Sequence, residues 1–324
     1  MITLVAGARP NFVKLAPIIR ELQQRSIPFR WIHTGQHQGA MSDPFLRELG
    51  LPTPDCQLSA SGTHAQMTAS VMTGVEYELL RNRPDWLVVV GDVNSTLGAA
   101  IAAVKMGIPI AHVEAGLRSN DWEMPEEVNR VMVDHISDLL LYPDEATWRR
   151  CKNPCTAMPV ARTGARHVLV GNVMMDSLRW ALARIVNEQI PPPPMIHPRG
   201  YAVLSCHRPS NVDTDVGFER VRQAVAQTSL EMFWLRHHRN RHLTLPNVQP
   251  IEPLGYLDMV SLLRGASLVI TDSGGMFEEA LYLGIPRISL RDPKKNERAH
   301  LKEVPEAWMT DAAPRIVDAL METT

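Results

Sequence analysis

One pattern of residues occurs twice in this chain, and it restricts the fold more than any other feature. The apolar run Trp86-Leu87-Val88-Val89-Val90 leads through Gly91 to Asp92, and Leu268-Val269-Ile270-Thr271 leads to Asp272. Each run is followed by a helical stretch, then by Gly-Ile-Pro (Gly107-Ile108-Pro109; Gly284-Ile285-Pro286), then by another strand. The copies lie about 180 residues apart, too far for a solenoid period. Strands alternating with helices predict parallel sheets. Two copies predict two doubly wound α/β domains, with a ligand in the cleft between their strand C-termini.

The length of 324 residues suits about two domains. Hydrophobic residues at 45% and charged ones at 21% are enough for an ordinary soluble core. A net charge of -2 leaves no electrostatic footprint for nucleic acid. The sequence has no apolar run long enough for a bilayer and no opening secretory signal, so neither a membrane nor export is expected. Cys56, Cys151, Cys155 and Cys206 are irregularly spaced. Cys151-x3-Cys155 has no second ligand pair, so free thiols in a reducing cytoplasm are expected and no metal is.

In chain order, Ile2-Thr3-Leu4-Val5-Ala6 reads as a strand and residues 15–24 as the helix after it. The loop between them carries Arg9 and Lys14, either ligand-facing cations or solvated surface charges; it has neither a G-x-G-x-x-G nor a P-loop pattern. Residues 30–34 and 110–113 read as further strands, and 66–82 and 97–106 as helices. The run Pro191 to Pro194 is stiff and non-helical and precedes the strand Tyr201-Ala202-Val203-Leu204-Ser205. Domains are expected at 1–170 and 171–312, with a C-terminal helix within 313–324 packing back on the first.

Thr271-Asp272-Ser273-Gly274-Gly275 reads as a strand-to-helix turn, with Glu278 and Glu279 in the first helical turn. Such a turn presents backbone amides to an anion, and paired glycines allow close approach, although Ser273 also suits an ordinary helix cap. Asp92, Glu114, Glu126 or Glu127, and His207 gather at predicted strand ends. Each alone fits a cap or a surface acid. Together with the cations they suit proton abstraction at a sugar carbon with a phosphate leaving group.

Several segments occur in order: Gly7-Ala8-Arg9-Pro10, Gly35-Gln36-His37, Gly91-Asp92, the block from His112-Val113-Glu114-Ala115-Gly116-Leu117-Arg118-Ser119 to Pro125-Glu126-Glu127-Val128-Asn129-Arg130, Gly171-Asn172, His207-Arg208 and Asp272-Ser273-Gly274-Gly275. Together they resemble the UDP-N-acetylglucosamine 2-epimerase family. The resemblance implies a GT-B fold of two Rossmann-like domains. It implies that Asp92, Glu114 and Glu126 handle the proton at C2 and that His207 stands near the leaving diphosphate. Ser273, Gly274, Gly275 and Glu279 would hold the uridine diphosphate, with Glu279 on the ribose. Arg9, Lys14, Arg118, Arg130 and Arg208 would be further substrate-binding residues. UDP would leave to give a 2-acetamidoglucal, and the product would be UDP-ManNAc or, with water, ManNAc. Such an enzyme needs no nicotinamide or metal, and it is expected as a cytoplasmic homodimer of polysaccharide biosynthesis with a UDP-sugar substrate.

The chain departs from the family in places. His207-Arg208-Pro209-Ser210-Asn211 lacks the usual acid, and Phe277 replaces a usual Gln. The segment from Arg291 to Arg298 only loosely echoes Thr-Glu-Arg-Pro, Gln38-Gly39 replaces effector-site residues, and the late Asn-Pro-x-Gly stretch is absent. These leave nucleotide and sugar preference open and argue against allosteric activation by substrate. A GT-B glycosyltransferase shares the nucleotide site and is the main alternative, but it has no need of a C2 base. A nucleotide-sugar sensor would have no use for the three acids.

Overall fold

The computed structural model describes residues 1–37, 43–152, 164–190, 200–237 and 239–322. Gln38-Gly39, Cys155 and the proline run lie outside the described residues. Contacts divide the chain into two units: Met1–Ser177 with Glu297–Thr324, and Leu178–Asn296.

The first unit is built on a seven-stranded parallel sheet. Its strands are β1 (Ile2–Ala6), β2 (Phe29–His33), β3 (Cys56–Gln57), β4 (Trp86–Val90), β5 (Ile110–Val113), β6 (Leu139–Tyr142) and β7 (Arg166–Leu169), in the spatial order β3-β2-β1-β4-β5-β6-β7. Helices α1 (Arg9–Gln24), α2 (Asp43–Glu48), α3 (His64–Arg81), α4 (Asn94–Lys105), α5 (Pro125–Ile136) and α6 (Glu145–Lys152) connect them. Leu87, Val88, Val89 and Val90 are fully buried, as a central parallel strand covered on both faces must be. Against that strand lies the small-residue helix α4, whose Ala99, Ala100, Ala102 and Ala103 enter one apolar cluster with Val71, Val75 and Leu79 of α3.

Helix α1 begins at Arg9, not at residue 15 as the sequence reading has it. Pro10 explains the difference, because proline suits the first helical turn, where its missing N–H costs nothing. Lys14 therefore sits on a helix and not in a loop. In the same way α3 starts two residues early through a capping box, Thr63 with Gln66.

Helix α7 (Val173–Asn187) carries the chain from the first unit into the second. The second unit has a five-stranded parallel sheet of β8 (Tyr201–Ser205), β9 (Glu231–Leu235), β10 (Val248–Ile251), β11 (Leu268–Thr271) and β12 (Arg287–Ser289), ordered β10-β9-β8-β11-β12. Its helices are α8 (Pro209–Val212), α9 (Asp215–Val225), α10 (Tyr256–Arg264) and α11 (Gly274–Tyr282). Apolar clusters cover both sheet faces, one around Trp234 and Phe218, the other around Tyr201 and Phe233. The repeated Gly-Ile-Pro has one physical role in both units: Gly107 at φ 62 and Gly284 at φ 70 end a helix in the left-handed conformation that glycine adopts without strain.

The last helix, α12 (Ala312–Met321), packs on α1 within the first unit. Its own N-cap residue, Asp311, does not cap the helix with its side chain, and Asp176 of α7 does that work, accepting from Ala312 N at 2.9 Å and Ala313 N at 2.7 Å. The buried Trp308 donates its indole N–H to Pro143 O at 2.8 Å.

Candidate active site

Both sheets reverse strand order once; Arg9, Lys14 and Asp92 sit beside the first reversal and His207, Arg208 and Ser273 beside the second, whereas Glu114 and Arg118 follow β5 and Glu126 and Arg130 lie on α5. In the first sheet the reversal lies between β1 and β4, beside the loops that open α1 and α4. In the second it lies between β8 and β11, beside the loops carrying His207 and Ser273. Strand C-termini at such switch points are where open α/β sheets bind ligands.

In the first unit the acids are held by a buried lattice of charge. Lys14 Nζ bonds one oxygen of Glu114, and Arg298 Nη2 bonds the other at 2.8 Å. Side-chain exposure is 8% for both cations and 7% for Glu114, so this pair of ion bonds is largely screened from water. Glu114 has φ 70, a conformation that costs a non-glycine residue of order 1–3 kcal/mol and gathers at functional sites. Arg130 Nη2 bonds Asp92 Oδ2, while its Nη1 reaches Glu127 at 3.1 Å. Glu297 in turn bonds Arg298.

Asp92 keeps 28% of its side chain exposed and is the most open carboxylate of this lattice. Burial by itself would raise its pKa; Arg130 and then Lys14 outweigh that and hold it below the ordinary carboxylate range. Asn129 Nδ2 fixes its backbone carbonyl at 2.9 Å. The two neighbouring glutamates of α5 differ sharply. Glu127 is buried and accepts from Ser119 N and Asn120 N, both at 2.9 Å, folding the preceding loop onto the helix start. Glu126, at the second position of α5, is only half-buried.

Arg118 turns its Nη1 to Asp134 at 2.6 Å. Arg9 opens α1, where its backbone N–H donates to His37 Nδ1 at 3.2 Å and its guanidinium lies 5.2 Å from the centre of the Phe45 ring.

In the second unit the hub is Asp272, which is fully buried. Its carboxylate accepts from His207 N at 3.0 Å, Arg208 N at 2.9 Å and Asn211 Nδ2 at 3.0 Å. The loop after β8 is thereby wrapped around the end of β11, and the His207 ring is left 38% exposed. Pro209 opens α8, so the position without the family's usual acid is a helix start. Ser273 caps α11, accepting from Met276 N at 3.4 Å. Because that cap starts the helix at Gly274, Glu278 and Glu279 lie in its second turn, not in the first as the sequence reading has it. Glu279 is buried and takes the Tyr256 hydroxyl at 3.0 Å. Burial pushes its pKa up to about 7, against the Tyr256 bond and with help from Glu278. Phe277 packs under the Arg287 guanidinium, 4.6 Å from the ring centre.

Sequence reasoning missed Glu297, Arg298, Asp134 and the burial of Glu127. A signal for the first two was present: Asn296-Glu297-Arg298 is the part of the loosely matching late segment that keeps the Glu-Arg pair.

A family model described as UDP-N-acetylglucosamine 2-epimerase matches residues 20–324. The chain belongs to the UDP-N-acetylglucosamine 2-epimerase family. The UDP-2,3-diacetamido-2,3-dideoxy-D-glucuronate 2-epimerase of Pseudomonas aeruginosa is 37% identical over 302 residues, covering 90% of this chain and 83% of that protein. The UDP-N-acetylglucosamine 2-epimerase of Methanocaldococcus jannaschii is 35% identical over 323 residues, covering 94% and 86%. A crystal structure of the M. jannaschii UDP-GlcNAc 2-epimerase with UDP-GlcNAc and UDP superimposes with a TM-score of 0.78 at 30% identity, covering 100% of this chain and 93% of that one. This family member is therefore an α/β protein of the GT-B-like class. Among its described residues no helix is long and apolar enough to cross a membrane.

Proposed function

We propose that this epimerase inverts C2 of a UDP-linked 2-acetamido sugar by eliminating UDP and re-adding a nucleophile to the resulting glycal. The observation that carries the reading is Asp92: a partly exposed carboxylate, kept ionised by Arg130, on a switch-point turn beside Glu114. A hydrogen on a carbon with no adjacent carbonyl is poorly acidic. Its removal therefore needs a positioned base and a departing group on the neighbouring carbon.

The proposed division of roles follows the local chemistry. Asp92, Glu114 and Glu126 take and return the C2 proton. Arg130 and Lys14 keep Asp92 ionised and, with Arg9, Arg118 and Arg208, hold the substrate's anionic groups. His207, held at its backbone by Asp272, stabilises charge on the leaving diphosphate. Ser273, Gly274 and Gly275 receive diphosphate oxygens at the start of α11. Glu279 accepts ribose hydroxyls. The working form is a cytoplasmic homodimer.

Incubation with UDP-GlcNAc in deuterated water tests this directly. UDP-ManNAc, or free UDP with ManNAc, carrying deuterium at C2 is the expected result, and the ratio of products reads whether UDP or water completes the reaction. Sugar transfer to an acceptor without C2 exchange would replace this reading with a glycosyltransferase.

The 37% identity to the Pseudomonas enzyme supports a second reading of the sugar. UDP-2,3-diacetamido-2,3-dideoxy-D-glucuronate shares the UDP and the 2-acetamido group, so the same acids would serve it. Comparison of kcat/KM for the two donors decides between them.

A further inference from the structure

We infer that His112 is a positioning residue that donates from both ring nitrogens, to the Gly91 carbonyl and to Asp134, and so fixes the turn from which Asp92 projects. The inference deepens the proposed C2 chemistry and rests on it.

The need for such a residue arises from the sheet. β4 and β5 pair in register from Leu87 with Ile110 to Val90 with Val113, and Gly91 N still donates to Val113 O at 3.1 Å. A continuing parallel ladder would next bring Ala115 N to the Gly91 carbonyl. Instead Glu114 N and Ala115 N both donate to Leu141 O of β6, each at 3.1 Å. The Gly91 carbonyl thus loses its ladder partner in a fully buried place, which costs about 1–3 kcal/mol unless another donor replaces it. His112 Nε2 is that donor, at 2.8 Å.

The other side of the ring is equally specified. His112 Nδ1 lies 2.6 Å from Asp134 Oδ1, and both side chains have 0% exposure. Asp134 Oδ2 takes Gly116 N at 3.0 Å and Arg118 Nη1 at 2.6 Å. Burial would raise the Asp134 pKa, but Arg118 and then His112 outweigh it and hold it below the ordinary range. An ionised carboxylate only accepts, and so does a peptide carbonyl, so the ring satisfies both partners when it carries both protons.

One carboxylate therefore ties together two turns. It holds Gly116, two residues past Glu114, directly, and it holds Gly91, one residue before Asp92, through the imidazole. Gly116 at φ 80 has no room for a Cβ, which would lie 2.5 Å from the Tyr142 ring, so this turn has little freedom to compensate. A side chain such as Gln at 112 carries both of its N–H donors on one nitrogen and cannot place them on opposite sides as the two ring nitrogens do.

The test uses the full chain with His112→Gln and Asp134→Asn, measuring UDP affinity by calorimetry, KM, kcat and C2 deuterium exchange. Expected is UDP affinity within about twofold of the parent in His112→Gln, with kcat and C2 exchange lowered together by about a hundredfold in both variants, the scale of a displacement near 1 Å at a reacting group. Equal losses in UDP affinity and kcat would show a merely structural role, and a kcat within about twofold of the parent would show no role. Should the variants fail to fold, nitrogen-15 NMR of the parent with labelled histidine decides. The exchange-protected ring is expected to show both nitrogens protonated, and a single protonated nitrogen overturns the inference. A parent inert toward UDP-sugars would sink the proposed reaction, while the ring spectrum would still decide the state of His112.

Discussion

Arg298 and Glu114, 184 residues apart in the chain, meet at 2.8 Å between Nη2 and Oε1 inside the first unit. With Lys14 on its other oxygen, Glu114 is held between two cations in a site almost closed to water. A carboxylate so clamped has its position set before any substrate arrives, which is what preorganised acid–base chemistry requires.

Arg298→Ala leaves Glu114 with Lys14 as its cation and takes the nearer cation from Glu297, whose other one, Arg130, lies 3.9 Å away. Removing one partner of a buried ion pair costs about 3–5 kcal/mol. The expected result is a loss of that size in urea unfolding followed by near-ultraviolet circular dichroism, together with a kcat lowered at least about tenfold. Arg298→Lys should recover part of the stability and less of the activity, because an ammonium lacks the planar fork whose two terminal nitrogens hold Glu114 and Glu297 separately. Full activity in Arg298→Ala would place this arginine outside the working site.

Arg130 sets the titration of Asp92. Burial favours the protonated acid, and Arg130, aided by Lys14, reverses that preference. In the parent the Asp92 carboxylate stays ionised below the ordinary carboxylate range. In Arg130→Gln it protonates at higher pH. The acid limb of the kcat/KM profile should accordingly move upward by about one unit or more, with kcat recovering as pH rises. An acid limb at the same pH in both proteins would mean that Asp92 is not the base.

Glu279 has the opposite perturbation, raised from 4.5 to about 7 by burial. Between those two values the folded protein holds a proton that the unfolded chain has released. Stability contributed by that proton is fully present below about pH 4.5 and is lost as pH rises through about 7. The total is about 3 kcal/mol for a shift of this size. Denaturant midpoints of the unliganded parent should therefore fall from pH 5 to pH 8, and Glu279→Gln should flatten the fall. The same slope in both proteins would assign the effect to another group.

Much of this arrangement was legible from residue order. Strands with short periods, Asp at two strand ends and repeated Gly-Ile-Pro place two doubly wound sheets, because parallel strands and their helices write local patterns. The positions of Asp92, His207 and Ser273 follow from those strand ends. What stayed hidden is what depends on contacts between distant segments. Glu297 and Arg298 reach the acids only because the chain returns to the first unit after residue 296. His112 reads as one more residue of a buried strand until its ring is seen to replace a missing ladder bond. The helix start differs from the apolar period where the first turn carries its own signal, at Thr63, Pro10 and Ser273.

Glu126 and Glu127 are the sharpest case, since sequence offers two adjacent acids at one helix start and chemistry needs only one. Acids at that place stabilise a helix by about 0.3–1 kcal/mol whichever of them does it. The structure separates their duties. Glu127 is buried, with Ser119 N and Asn120 N on its oxygens and Arg130 beside it, so it organises the loop and the arginine that governs Asp92. Glu126 keeps part of its surface open, as the proposed proton carrier requires. Glu127→Gln should therefore lower stability by about 1–3 kcal/mol, since an amide presents only one acceptor oxygen where the carboxylate presents two. Glu126→Gln should leave the melting temperature within about a degree of the parent, because it is a near-isosteric change at a half-buried position, worth about 0.5 kcal/mol. It should retain UDP binding and lose nearly all turnover and C2 deuterium exchange. Should Glu126→Gln exchange the C2 proton at the parent rate while Glu127→Gln does not, the roles are reversed and the buried glutamate is the one that touches substrate.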